Sequence, residues 1–396
     1  MQQFERVIWV VLDSVGIGPM PDAAEYGDVG RNTLGHIAES RELRIPTLLQ
    51  LGLANTAPLA HLQPVEAPRA SFGKGATHSP GKDTTTGHWE MAGIWLPQAF
   101  PVYPQGFPPE VIEEFERRIG RRILGNRPAS GTEILKELGE EHVRTGKPIV
   151  YTSGDSVFQI AAHEEVISVG ELYKMCEIAR ALLDGKHRVG RVIARPFSGT
   201  ARNFVRTAWR HDYAVEPPNP MLLDVLKECG VPVLGIGKIH DIYNGRGVEE
   251  YVTTKSNADG MEKLAAATKD RSSGLIFCNL VDFDMLFGHR KDVEGFAKCL
   301  EEFDVWLGEY LKLLVAEDLL MITADHGCDP DPRWETTDHS REYVPILAYA
   351  PRIEHARNLG VRKTLADMGQ TVAENFGGTI VQGESFLGLA RKSHKG

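Results

Sequence analysis

Short runs rich in β-branched and aliphatic residues recur along the chain: RVIWVVLD, KPIVYTS, RVIARPF, VPVLGIG, LIFCNLVDFD, LLMITADHG and YVPILAYA. Between several of them lie PEVIEEFERRIG, GELYKMCEIARALLDG and VEGFAKCLEEFDVWLGEYLKLLVAED, whose apolar positions fall at three- and four-residue spacing. Strand-length apolar runs alternating with such helical stretches define an α/β fold with a largely parallel sheet. In these sheets ligands gather at the carboxyl ends of the strands. The residues that close each run are therefore the first place to look for chemistry.

Three runs close on acids. RVIWVVLD ends in Asp13, LIFCNLVDFD supplies Asp282 and Asp284, and LLMITADHG carries Asp325 and His326. A single carboxylate at a strand end is usually a turn or helix cap, but three in one fold point to a shared site. His289 follows Asp284 by five residues, and His339 follows His326 by thirteen. Mixed nitrogen and oxygen donors suit borderline divalent cations such as Mn, Zn or Fe better than Mg or Ca, which prefer all-oxygen sets. The six candidates Asp13, Asp284, His289, Asp325, His326 and His339 suffice for two ions. Two ions about 4 Å apart clamp the attacking and leaving oxygens of a phosphoryl displacement.

The stretch GKDTTTGHWE supplies a nucleophile for such a site. Thr84 follows Asp83 directly, and coordination to a cation is one of the few ways to activate a threonine hydroxyl. Lys82 or a following helix N-terminus would steady phosphate charge. Taken alone, DTTTG reads more simply as the cap of a helix beginning near His88. Ser14, beside Asp13 in DSVGIG, is the rival hydroxyl.

The candidates lie before residue 90 and after residue 280, and proline-rich stretches QAFPVYPQGFPPE and EPPNPM bracket the span between. At 396 residues the chain exceeds one ordinary core. The distribution predicts a core domain over 1–99 and 220–396, interrupted by an inserted domain over 100–219. A formal charge of −10 argues against a nucleic-acid partner. The apolar run Val7 to Leu12 is broken by Asp13 and no segment reaches about 18 apolar residues, so no membrane association and a cytoplasmic location are expected. Cys176, Cys229, Cys278, Cys299 and Cys328 are scattered without a CxxC pair, which argues against both a disulfide framework and a cysteine zinc site. No motif specifies an oligomeric state.

Together, LDSVGIG, GKDTTTGHWE, GNRPASGTEIL, YTSGDSVFQIAAHEE, VGRVIARPF, NLVDFDMLFGHR and ITADHGCDP with TDHSREYVP closely resemble the phosphopentomutases of the alkaline phosphatase superfamily, over essentially the whole chain. The resemblance implies an alkaline-phosphatase-like core, with a mainly parallel sheet flanked by helices, plus an inserted α/β cap domain. It further implies two Mn2+ ions and interconversion of ribose or 2-deoxyribose 1-phosphate with the 5-phosphate through a pentose 1,5-bisphosphate. A sugar bisphosphate, glucose 1,6-bisphosphate or ribose 1,5-bisphosphate, would prime the cycle, and the partners would be small-molecule pentose phosphates. The family's phosphorylated threonine falls on Thr84. Its first ion falls to Asp13, Asp325 and His326, its second to Asp284, His289 and His339, with Asp282 a neighbour behind them. Its substrate contacts fall on Ser153, Asp155, Arg191, Ile193, Arg206 and Lys238; without the resemblance, Arg191 to Arg210 reads as a solvated basic face.

Two departures stand out. The interval between His326 and His339 is about two residues longer than the family's loop, and loops tolerate such insertions. Cys328 stands where Asn is expected. Three other readings fit these residues: a phosphatase or phosphodiesterase that releases phosphate, a cofactor-independent phosphoglycerate mutase, which characteristically uses serine, and a non-catalytic metal-binding or interaction protein. A mutase must keep water from its phosphothreonine, which would give the inserted domain the role of a lid.

Overall fold

Arg6–Leu12 is buried at all seven positions, the signature of a strand covered on both faces. Its one charged residue, Arg6, is neutralised in place: Nε and Nη2 donate to the two carboxylate oxygens of Asp318 at 2.8 and 2.7 Å. In the computed structural model, which describes residues 2–390 apart from 202, 219 and 354, this strand is central to an eight-stranded sheet. The order is Glu250–Val252, Val233–Ile236, Gly274–Leu280, Arg6–Leu12, Asp318–Thr323, Val344–Tyr349, Ser71–Gly75 and Asn358–Arg362.

The first five strands are mutually parallel. Val344–Tyr349 runs antiparallel to both its neighbours, so the run YVPILAYA departs from the alternating parallel pattern. The chain leaves Asp318–Thr323 at its carboxyl end and re-enters the sheet from a loop closed by the antiparallel bridge Gly327 to Ser340. With no crossover helix between them, the two strands are necessarily opposed. The loop that forces the reversal is the one carrying His326 and His339.

Long helices cover the sheet. Val293–Tyr310 starts at Asp292, whose carboxylate accepts from Gly295 N, and buries Phe296, Leu300, Phe303 and Leu307 at helical spacing. Asn257–Asp270 starts at Ser256 in the same way. The chain divides into two compact units, one made of the residues up to Ala99 and from Pro217, which contains this sheet, and one made of Phe100–Glu216.

The smaller unit has its own mixed six-stranded sheet. Leu124–Pro128, Ile149–Thr152, Val157–His163, Arg191–Thr200 and Asn203–Arg206 lie in that order, and His211–Ala214 also pairs with Arg191–Thr200. Period-two alternation sends Phe158, Ile160 and Ala162 into one core with Phe115, Leu172 and Met175. Ala161 joins the other face with Ile134, Tyr151 and Phe197. Four of the five cysteines are buried and none is paired; Cys229 is exposed. Among the described residues no helix is long and apolar enough to cross a membrane.

Candidate active site

Register brings the acids of the larger unit together. Val11 of the central strand pairs with Asn279 on one side and with Thr323 on the other. Asp13 and Asp325, each two residues further on, leave adjacent parallel strands at the same end. Asp284 and His289 follow Gly274–Leu280 through the turns Phe283–Phe287 and Gly288–Arg290. Single ligand atoms of Asp13, Asp325 and His326 lie within 4.8 Å of one another, as do those of Asp284, His326 and His339. His289 closes the second group: its Nε2 is 3.0 Å from His339 Nε2 and 3.2 Å from Asp284 Oδ2, and His339 Nε2 is 3.3 Å from Asp284 Oδ1.

These atoms suit cations. His289 Nδ1 donates to the Thr337 carbonyl at 2.7 Å and His326 Nδ1 to the Gly327 carbonyl at 3.1 Å. A carbonyl only accepts, so each ring keeps its proton there, and in the neutral form turns the Nε2 lone pair toward the carboxylates, as metal-ligating histidines do. Asp13 Oδ1 and Asp284 Oδ1 are buried without a hydrogen-bond donor among the described residues, and Asp325 Oδ2 faces only His88 Nδ1 and His326 Nε2, at 3.1 and 3.5 Å. Donors about 2.1 Å from a shared ion have mutual separations of about 3 to 3.4 Å, close to the range seen here.

The electrostatics agree. Burial, reinforced by the charges of Asp325 and Asp284, pushes the Asp13 carboxyl well above its usual range. Burial also acts to raise Asp284, but His339 and His289 outweigh it and hold that carboxyl well below. Burial lowers His326, keeping it neutral, whereas burial's effect on His289 is overcome by Asp284, which pushes it up to about 12. Metal ions take deprotonated ligands, so the ionised Asp284 carboxylate and the neutral His326 ring offer lone pairs that a cation would accept.

Thr84 opens the helix Thr84–Met91, with Asp83 as its N-cap accepting from Thr86 N at 3.0 Å. The helix thus begins at the threonine cluster rather than near His88, and the capping role falls to Asp83. Thr86 is buried and its hydroxyl donates to Asp83 Oδ2 at 2.6 Å. Thr84 is half-buried and its Oγ1 lies 3.2 Å from His326 Nε2. Ser14 is fully buried in the left-handed region at φ 68°, with its amide donating to Asp325 Oδ1. Gly87 lets the helix approach so closely that a Cβ there would sit 2.4 Å from the Asp325 carbonyl oxygen. Lys82 Nζ is held between Asp28 and Asp338 at 3.0 and 3.3 Å.

Several supporting residues are not evident in the sequence. Asn279 Nδ2 donates to Asp13 Oδ2 at 3.0 Å, and His88 Nδ1 lies 3.1 Å from Asp325 Oδ2. Glu90 anchors the loop before Thr84 by accepting from His78 N, Ser79 N, Leu365 N and the Thr364 hydroxyl. Asp282, which the sequence did point to, accepts through Oδ2 from Asn257 N at 2.6 Å and so fixes a helix start. The faint signals were an asparagine inside a buried strand, and a histidine one helical turn after Thr84.

The long loop is clasped by Trp334. Its Nε1 donates to Asp329 Oδ2, which also accepts from His36 Nδ1, both at 2.7 Å, and the Arg31 guanidinium lies 4.4 Å above its ring. Cys328 Sγ is 3.9 Å from the Thr337 carbonyl, and burial pushes its thiol up to about 12. Its Sγ also lies 4.0 Å from His289 Nδ1, and within 4.8 Å of ligand atoms of Asp284 and His289.

In the smaller unit, Asp155 N donates to Ser153 Oγ at 3.3 Å, and Arg191 reaches Asp155 and Asp212 at 3.5 and 3.6 Å. Ile193 is buried on the strand face opposite Val192 and Ala194, and Arg206 is exposed. In the larger unit Lys238 precedes the helix Ile239–Ile242, and its charge is felt at Asp13.

An α/β sheet with a cluster of acids and histidines at its carboxyl edge is the architecture of a metalloenzyme. The sequence matches the Metalloenzyme superfamily over residues 5–379. A Pyrococcus horikoshii protein of solved structure shares the fold at a TM-score of 0.50 and 15% identity, over 95% of this chain and 98% of that one. More specifically, the chain is 58% identical to a phosphopentomutase of Desulfitobacterium hafniense, over 97% of this chain and 99% of that one. It is 57% identical to a phosphopentomutase of Caldanaerobacter subterraneus, over 97% of each. The chain belongs to the phosphopentomutase family and is an isomerase of the mutase kind.

Proposed function

We propose that this enzyme interconverts ribose or 2-deoxyribose 1-phosphate and the corresponding 5-phosphate through a phosphothreonine at Thr84 and a pentose 1,5-bisphosphate. Asp13, Asp325 and His326 hold one Mn2+ and Asp284, His289 and His339 the other. When bound, the two cations supply positive charge to the transferring phosphoryl group and acidify the threonine hydroxyl. The observation that supports this reading is that Thr84 Oγ1 lies 3.2 Å from Nε2 of His326, the residue grouped both with Asp13 and Asp325 and with Asp284 and His339.

The chain's own residues do the rest. Phosphothreonine 84 gives its phosphoryl group to the free hydroxyl of the bound sugar phosphate: the Thr84 Oγ1–P bond breaks, the sugar O–P bond forms, and the sugar hydroxyl proton passes to Thr84 Oγ1. The bisphosphate then presents its other phosphate, and the reverse transfer restores phosphothreonine. A sugar bisphosphate, glucose 1,6-bisphosphate or ribose 1,5-bisphosphate, primes the first turn. Asp83 holds Thr84 at the helix start, where backbone N–H groups favour phosphate. Arg191, Arg206 and Lys238 suit the substrate's phosphates, Ser153 and Asp155 its hydroxyls, and Ile193 shapes the strand that carries Arg191. The reading is tested by mapping phosphate after incubation with the sugar bisphosphate: it should lie on Thr84, and label on Thr85 or Thr86 would contradict the assignment.

A further inference from the structure

Behind the donor atoms, His88 and Asn279 form a buried hydrogen-bonded chain with a fixed sense at every step. An amide nitrogen only donates, so Asn279 Nδ2 gives one hydrogen to Asp13 Oδ2 at 3.0 Å and the other to His88 Nε2 at 3.3 Å. The opposite amide orientation would set Asn279 Oδ1 against the Asp13 carboxylate. His88 Nε2 therefore carries a lone pair, and the ring proton sits on Nδ1. That proton is directed at the Thr84 carbonyl, 2.9 Å away, and Asp325 Oδ2 lies 3.1 Å from the same nitrogen. His88 is 0% and Asn279 1% exposed. The Tyr243 hydroxyl donates to the His88 carbonyl, and Phe277 stacks beside the imidazole at 6.1 Å.

We propose that His88 is a positioning residue that, with Asn279, joins the backbone of Thr84 to the carboxylates of Asp13 and Asp325, so that nucleophile and cation donors are held as one rigid set. This rests on the function proposed above. His88 falls one turn after Thr84, so its imidazole returns to the Thr84 carbonyl while its far edge meets the strand carrying Asn279. A histidine merely filling the core would need neither a fixed tautomer nor a carboxylate at the end of each arm.

The test is Mn2+ affinity, read from the electron paramagnetic resonance of the free ion, on full-length protein whose folding is checked by thermal melting. Outer partners of metal ligands typically change affinity or activity by roughly 10- to 100-fold. His88→Leu should lose affinity in that range, with kcat falling and KM for the pentose phosphate nearly unchanged. His88→Asn, which keeps an N–H near the Nδ1 position, should recover most of it. Asn279→Ala attacks the other end and should weaken binding in the same way; it decides the matter if His88→Leu does not fold. Wild-type affinity in either folded variant overturns the proposal while leaving the proposed function standing. A wild-type protein that takes up no Mn2+ overturns both.

Discussion

Thr84 Oγ1 and His326 Nε2 lie 3.2 Å apart, although 242 residues separate them in the chain. The histidine comes from the end of a strand in the sheet's parallel core and the threonine from the first turn of a helix. Their meeting needs the Gly87 approach to the Asp325 carbonyl and the Asp83 cap together. In the proposed mechanism the position of the nucleophile is thus tied to the packing of one short helix on the carboxyl edge of the sheet.

Asp284 faces both His289 and His339. Asp284→Asn removes the charge these donors share, and activity should fall by roughly 100-fold or more. Ligand binding at 100 times Kd stabilises a fold by about 2.7 kcal/mol, so Mn2+ should raise the melting temperature of the parent and a chelator should reverse the rise. The variant should show a much smaller response. An equal response in parent and variant would remove Asp284 from the donor set.

Trp334 holds the loop that ends in His339 and whose Thr337 carbonyl fixes His289. Trp334→Ala loses both the bond to Asp329 and the Arg31 stack, whereas Trp334→Phe keeps an aromatic face for Arg31. Calorimetric titration with Mn2+ should rank the affinities as parent, Phe, Ala, with the last weaker by roughly tenfold. Identical affinities would show that the loop's clasp is irrelevant to the donors.

His142 of the smaller unit is buried between the Lys147 carbonyl and the His163 amide, and burial lowers its pKa from 6.5 despite the carbonyl. The folded state thus favours the neutral ring more than the unfolded chain does. Its stabilising contribution is present above pH 6.5 and is lost as pH falls from 6.5 through the lower folded value. Melting of the full protein between pH 7.5 and 5.5 should therefore show a larger decline for the parent than for His142→Asn, by a few degrees. Parallel declines would show that His142 does not titrate differently on folding.

Much of the fold was legible because buried strands announce themselves: RVIWVVLD and LLMITADHG are apolar on both faces and end where the cover of the sheet ends. Direction was less legible, since nothing in YVPILAYA distinguishes a parallel strand from one that re-enters after a loop. Ser71–Gly75, with sequence SFGKG, lacks a strand-like composition because it sits tight against its neighbour: a Cβ on Gly73 would lie 2.7 Å from the Gly360 carbonyl oxygen. At the site, acids at strand ends are visible as a pattern. Asn279 and His88 are not, since their bond spans 191 residues and only the folded register reveals it. Trp334 was hidden for the same reason, its partners Arg31 and His36 lying some 300 residues away in sequence.

The most direct test follows ribose 1-phosphate with Mn2+ and a trace of sugar bisphosphate, measuring ribose 5-phosphate and free phosphate together, beside Thr84→Ala. Formation of ribose 5-phosphate without stoichiometric phosphate release, abolished in the variant, is the predicted result. Phosphate release with no isomerised sugar, or undiminished isomerisation by Thr84→Ala, would contradict the account.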